Sequence, residues 1–174
     1  MPRLLWAVLL GLALAARAVA APAAPAFTLR LLDSRRTFDS RNAIEKKVLV
    51  VRFQASWCKA CVREAPGLQR LYEKYRPLGV EVVGVQVQDT APAARRFLQA
   101  HRATYPAGLD PRLTVANRFG MKGTPYTVVI SREGELVAQI PGASALTRLP
   151  GILDPLVGGA RGPRQRSAKP QEGH

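Results

Sequence analysis

Residues 48–61 read VLVVRFQASWCKAC, and this stretch decides how the chain folds. Residues 48–55 form a dense β-branched and apolar run, long enough for a strand buried on both faces. Beyond it, Ala65, Leu68, Tyr72 and Tyr75 recur every three or four residues and share one face of a helix, while Arg63, Arg70 and Lys74 fall elsewhere. Cys58 and Cys61 sit at the junction. That puts Cys58 at a helix N-terminus, where unpaired backbone N–H groups and the helix dipole stabilise a thiolate. Lys59 adds a neighbouring positive charge that pushes the same way. Cys61 lies one turn further in, within reach of Cys58 but less accessible, which suits one attacking thiolate and one resolving thiol.

Other uses of two cysteines fit less well. A structural disulfide here closes a very short loop, for which chain entropy gives roughly 2 kcal/mol, against about 3 for a 15-residue loop. Haem attachment needs His directly after the second cysteine, where Val62 stands. A metal site lacks partners: His101 belongs to the apolar face of a later helix, where packing in the core or at the helix end is its expected fate, and His174 lies at the end of the chain. No metal and no cofactor are therefore expected, since a cysteine pair carries both electrons of an exchange by itself.

Working outward, Gly79 breaks the first helix and residues 81–87 form a second valine-rich strand. Ala94, Phe97, Leu98 and His101 share a helical face, with Pro92 in the first turn. A short helix around residues 113–119 ends at Gly120. Residues 126–130 and 135–140 read as a hairpin with a glycine-bearing turn. A last helix lies within residues 146–157, with limits blurred by Pro150, Gly151 and Pro155. Residues 27–32 and 35–38 fit a small extra hairpin. The order is βαβα, a short helix, then ββα: an α/β fold with a mixed central sheet flanked by helices on both faces.

The chain has 174 residues, enough for one domain with short extensions, and 47 % apolar residues, enough for a core. Arg3 followed by an uncharged Leu- and Ala-rich run to Ala16, then Arg17 and Ala18-Val19-Ala20, reads as a cleaved secretory signal over residues 1–20; an uncleaved membrane anchor is the weaker reading, since the run is short of the ~20 residues needed to span a bilayer. The domain then spans residues 21–157. Residues 158–174, rich in Gly, Pro and Arg, are expected to be a disordered basic tail, either a solubilising end or a tether to anionic lipid or an acidic partner. The 26 basic and 12 acidic residues give a net charge of +14. Removing Arg3, Arg17 and the tail's four basic residues and one acid leaves +9 on the domain. No nucleic-acid motif accompanies that surplus, which reads instead as a surface for anionic lipid or acidic redox partners. An exported location also makes an oxidised cysteine pair the resting expectation.

With Trp57-Cys58-Lys59-Ala60-Cys61, Pro66 five residues on, Tyr105-Pro106, Leu109-Asp110-Pro111 and Gly123-Thr124-Pro125 ahead of a strand, the chain resembles the thioredoxin superfamily. Within it the likeness is to the exported TlpA/ResA-like thiol–disulfide oxidoreductases, from about Phe27 to Leu156. The resemblance implies a thioredoxin-like fold, with Cys58 as nucleophile and Cys61 as resolving thiol. Pro125 would be cis beside the cysteines rather than an ordinary trans turn proline. Thr124 and Pro125 would then dock substrate in extended form, with Trp57 shielding the site. Glu64 stands where ResA-like relatives carry a glutamate for proton handling; otherwise it is a solvated surface residue.

Arg52 departs from the pattern, since thioredoxins carry a buried aspartate there and many TlpA-like proteins an asparagine. Either Arg52 pairs with Glu64 and, with Lys59, biases the cysteine pKa values, or it reaches water at the strand end. Ala60, in place of the family's frequent proline, leaves the redox potential open. The expected function is periplasmic reduction of protein disulfides, such as those of apocytochrome c or copper-assembly proteins, with electrons from a membrane-embedded thiol donor. Three alternatives use or approach the same residues: a disulfide-donating oxidant, a thiol peroxidase and a non-enzymatic copper-assembly factor. The Pro and Thr that a peroxidase carries before its cysteine are absent here, and the cysteine spacing and downstream histidine of the copper factors do not fit.

Overall fold

A computed structural model describes residues 21–34 and 36–158. The signal segment expected at residues 1–20 and the tail from residue 159 onward lie outside the described residues. In chain order the elements are β1 (Thr28–Arg30), β2 (Thr37–Asp39), α1 (Ser40–Ile44), β3 (Val48–Gln54), α2 (Lys59–Tyr75), β4 (Val80–Val87) and α3 (Ala91–Ala100). There follow β5 (Ala107–Asp110), α4 (Thr114–Arg118), β6 (Tyr126–Ile130), β7 (Leu136–Pro141) and α5 (Ala145–Gly158). The main sheet has the order β5-β4-β3-β6-β7, and β1 pairs with β2 in a separate hairpin. β3–β4 and β4–β5 are parallel, β3–β6 and β6–β7 antiparallel, so the sheet is mixed and the fold thioredoxin-like α/β.

β3 is central, and every one of its residues is buried, as its unbroken apolar character requires. On one face Val48 and Val50 meet Leu68, Leu71, Tyr72 and Tyr75 of α2 and Leu149 and Leu153 of α5. On the other, Leu49, Val51 and Phe53 meet Phe27 and Leu29 from the β1 side and Val115, Ala116 and Phe119 from the α4 side. Gly79, at a left-handed φ of 89°, ends the short 3-10 turn after α2 and feeds β4.

Three features differ from the sequence-based expectation; one is the short helix α1, capped by Asp39, whose side chain accepts the Arg41 N–H at 3.0 Å. β5 was not anticipated, because Pro106, Gly108 and Pro111 mask it; it forms as an edge strand parallel to β4 and is covered by the chain leaving β1. Leu32 N–H donates to the Ala107 carbonyl at 2.8 Å, and a Cβ at Gly108 would collide with the Arg30 carbonyl and the Leu29 side chain. α5 also runs unbroken through Pro150 and Pro155 to Gly158, held by buried Ala145, Leu149 and Leu153.

The parallel strands β3, β4 and β5 all end at one edge of the sheet, and antiparallel β6 begins there, with Phe53 opposite Tyr126. Cys58 and Pro125 are thus delivered to the same edge by neighbouring strands. The close approach of β1 to β5 makes Gly108→Ala an overpacking substitution, expected to cost about 1–3 kcal/mol. Urea titration checks it; an unchanged midpoint would contradict that approach.

Candidate active site

α2 starts at the end of β3 and uses Cys58 as its N-cap: Cys58 is extended (φ −84°, ψ 103°), and its Sγ accepts the Cys61 backbone N–H at 3.1 Å. Cys58 and Cys61 are disulfide-bonded, with Cα atoms 5.2 Å apart. They rest in a small apolar cluster with Ala55, Ala65 and Phe97. What exposure the pair has belongs to Cys58, at 6 % against 1 % for Cys61. Lys59 is exposed at the first position of the helix.

The loop before the disulfide is held by the loop after β4. Trp57 is 57 % exposed, yet its indole Nε1 donates to the Gln88 carbonyl at 3.1 Å. Gln88 adopts a positive φ of 47°. Next to it, buried Asp89 accepts from the Ser56 backbone N–H at 2.7 Å, the Ser56 hydroxyl at 2.9 Å and the Thr90 N–H at 2.8 Å. Ser56, Gln88 and Asp89 escaped the sequence analysis. An Asp before the N-cap Thr90 is a local cue, but its partner across the loops leaves no sequence trace.

Beneath α2, Arg52 is 1 % exposed, so it does not reach water at the strand end. Its Nη2 pairs with Glu64 Oε2 at 2.5 Å and its Nη1 donates to Thr127 Oγ1 at 2.9 Å. Glu64 is correspondingly withdrawn from solvent, which removes the surface alternative for it. Gln54 lies on the same side of β3 and donates to the Tyr105 hydroxyl at 3.3 Å; burial pushes the Tyr105 phenol pKa up. Gln86, paired with Gln54 across the strands, is fully buried with its amide unpartnered, as is Arg52 Nε. A polar layer thus underlies the first turns of α2, within an otherwise apolar sheet.

The Thr124–Pro125 bond is cis, Pro125 is buried, and its carbonyl accepts the Gly142 N–H at 2.9 Å. His101 caps the C-terminus of α3, its ring edge-on to Phe97 with centroids 5.0 Å apart, in the helix-end packing expected of it. Among the described residues no three His, Cys, Asp or Glu side chains come together as a metal site.

Comparison with known proteins gives the same picture. Residues 21–139 match the AhpC/TSA family. The chain is 32 % identical over 143 residues to the thiol:disulfide interchange protein HelX of Rhodobacter capsulatus, covering 82 % of this chain and 79 % of that protein. It is 31 % identical over 134 residues to the thiol-disulfide oxidoreductase ResA of Oceanobacillus iheyensis, covering 76 % and 70 %. The crystal structure of a thioredoxin-family thiol:disulfide interchange protein from Chlorobium tepidum superposes with a TM-score of 0.70 at 25 % identity, covering 79 % of this chain and 97 % of that one.

Removing one partner of a buried ion pair leaves the other charge uncompensated. Arg52→Met is therefore expected to lower stability by about 3–5 kcal/mol, and adding Glu64→Gln to recover much of the loss. Urea unfolding of the two variants checks this; a stable single variant would contradict the pairing.

Proposed function

The chain belongs to the AhpC/TSA family and is a thioredoxin-like thiol–disulfide oxidoreductase; from that premise we propose that it reduces disulfides in exported partner proteins through Cys58 and Cys61. The observation that carries the reading is the Cys58–Cys61 disulfide at the N-terminus of α2, at the sheet edge where cis-Pro125 leads into β6.

In the forward step Cys58 thiolate attacks one sulfur of a target disulfide, whose S–S bond breaks and releases one target thiolate. Cys61 thiolate then attacks Cys58 Sγ, the mixed disulfide breaks, and the second target sulfur leaves. Two electrons have moved to the target and Cys58–Cys61 is left oxidised, so a thiol donor must re-reduce it. By resemblance that donor is membrane-embedded. The exposed side of Trp57, with Thr124 and Pro125, forms the docking surface, where substrate backbone pairs in extended form.

Glu64 lies one turn below Cys61 and handles the protons that thiol formation requires, while Arg52 fixes the position of its carboxylate. Lys59 and the helix N-terminus favour the Cys58 thiolate. Export through residues 1–20 places the reaction in the periplasm, and the basic tail offers contact with anionic lipid. No described helix is long and apolar enough to cross a membrane.

Reduced Cys61→Ser protein mixed with a disulfide-bonded peptide should accumulate a mixed disulfide at Cys58. Cys58→Ser should exchange no faster than the uncatalysed background. Mass spectrometry of the quenched mixtures checks both, and a mixed disulfide at Cys61 of the Cys58→Ser variant with none at Cys58 of the Cys61→Ser variant would reverse the assigned roles.

A further inference from the structure

Charge is distributed unevenly at the sheet edge that carries the disulfide. Lys59 and Arg63 lie one turn apart on the exposed side of α2, flanking exposed Val62. Arg96 of α3 reaches the same rim, where with Ser56, Val62, Phe97 and His101 it lines a shallow groove beside the disulfide loop. Lys122 is exposed three residues before Pro125, in the loop that leads into β6. Three described carboxylates near this end are engaged internally. Glu64 is taken by Arg52, Asp89 by Ser56 and Thr90, and buried Asp110 by three backbone N–H groups, those of Thr114, Val115 and Ala116. The ion pairs among the described residues are Lys47–Glu81 and Arg52–Glu64, so none of Lys59, Arg63, Arg96 and Lys122 takes part in one.

We propose that this cationic rim, with exposed Trp57 and Val62 inside it, docks a protein partner whose reacting cysteine is flanked by Asp or Glu. The inference rests on the oxidoreductase reading and adds a partner chemistry to it. A cluster of cations that, among the described residues, takes part in no ion pair steers an anionic surface toward Cys58, and the apolar residues give it contact once it arrives. With a screening length of about 8 Å at physiological ionic strength, the effect acts mainly on encounter and fades with salt. A protein loop fits this placement better than a membrane does. The charges lie on the elements that carry the disulfide and Pro125, and a lipid surface pressed on them would cover the sulfurs.

The test uses the reduced full chain and two disulfide-bonded peptides of equal length, one with Glu and one with Gln beside the cysteines, at low salt and at high salt. The Glu peptide is expected to react about tenfold faster at low salt, and the two rates to converge at high salt. In the variant combining Arg63→Glu, Arg96→Glu and Lys122→Glu the preference is expected to vanish or invert, while the rate with neutral 2-hydroxyethyl disulfide stays unchanged. Equal peptide rates for the native chain, or a preference that survives the triple variant, would overturn the proposal. Sedimentation with phosphatidylglycerol vesicles that the triple variant loses, without any peptide preference, would overturn it in favour of lipid. Absence of exchange even with 2-hydroxyethyl disulfide would instead remove the oxidoreductase reading on which the proposal stands.

Discussion

A guanidinium in the middle of a central strand has to be answered from outside that strand. Arg52 is the charge in question, on a β3 buried along its whole length. The answer comes from Glu64 on the helix above and Thr127 on the strand beside it. The contacts tie together the three elements that carry the site: β3, which leads to Cys58; α2, which Cys58 caps and which holds Cys61; and β6, which follows Pro125. A buried ion pair is weak evidence of stabilisation, because desolvation offsets much of the attraction. On the proposed function, its place beneath the first turns of α2 serves thiols that must gain and lose protons.

The second constraint acts from the side. Asp89 anchors Ser56 in both backbone and side chain, and Gln88 holds the Trp57 indole, so the segment entering α2 is fixed independently of the disulfide. The geometry around Cys58 is thereby supported by the loop after β4 as well as by the helix cap. That matters for a pair that must cycle, since none of these contacts involves either sulfur.

Periodicity made β3 and α2 legible, because the strand is continuously apolar and Ala65, Leu68, Tyr72 and Tyr75 mark a single buried face. The cysteine spacing marked the chemistry, and family resemblance supplied the cis isomer at Pro125. What stayed hidden depends on tertiary contact. β5 exists because β4 offers an edge and β1 covers it; its own residues are poor strand formers. Arg52 was recognisable as anomalous, but its choice of Glu64 over water depended on how deeply α2 and β6 cover the strand. Gln54, Gln86 and Tyr105 are scattered in sequence and form a polar layer only after β3 and β4 pair in register.

Opposed effects set the potential of the pair. The N-terminus of α2 and exposed Lys59 lie beside Cys58, whereas both cysteines are themselves buried, at 6 % and 1 % exposure. A helix terminus and a neighbouring cation act toward a more oxidising disulfide, and a desolvated site toward a more reducing one. Equilibration of the Cys58–Cys61 pair against a series of glutathione ratios, quenched by alkylation, measures the balance. The account predicts a reversible two-electron transition in the reducing range, closer to thioredoxin's roughly −270 mV than to the roughly −120 mV of a disulfide donor. A midpoint near the latter value, or a pair that does not titrate, would contradict it.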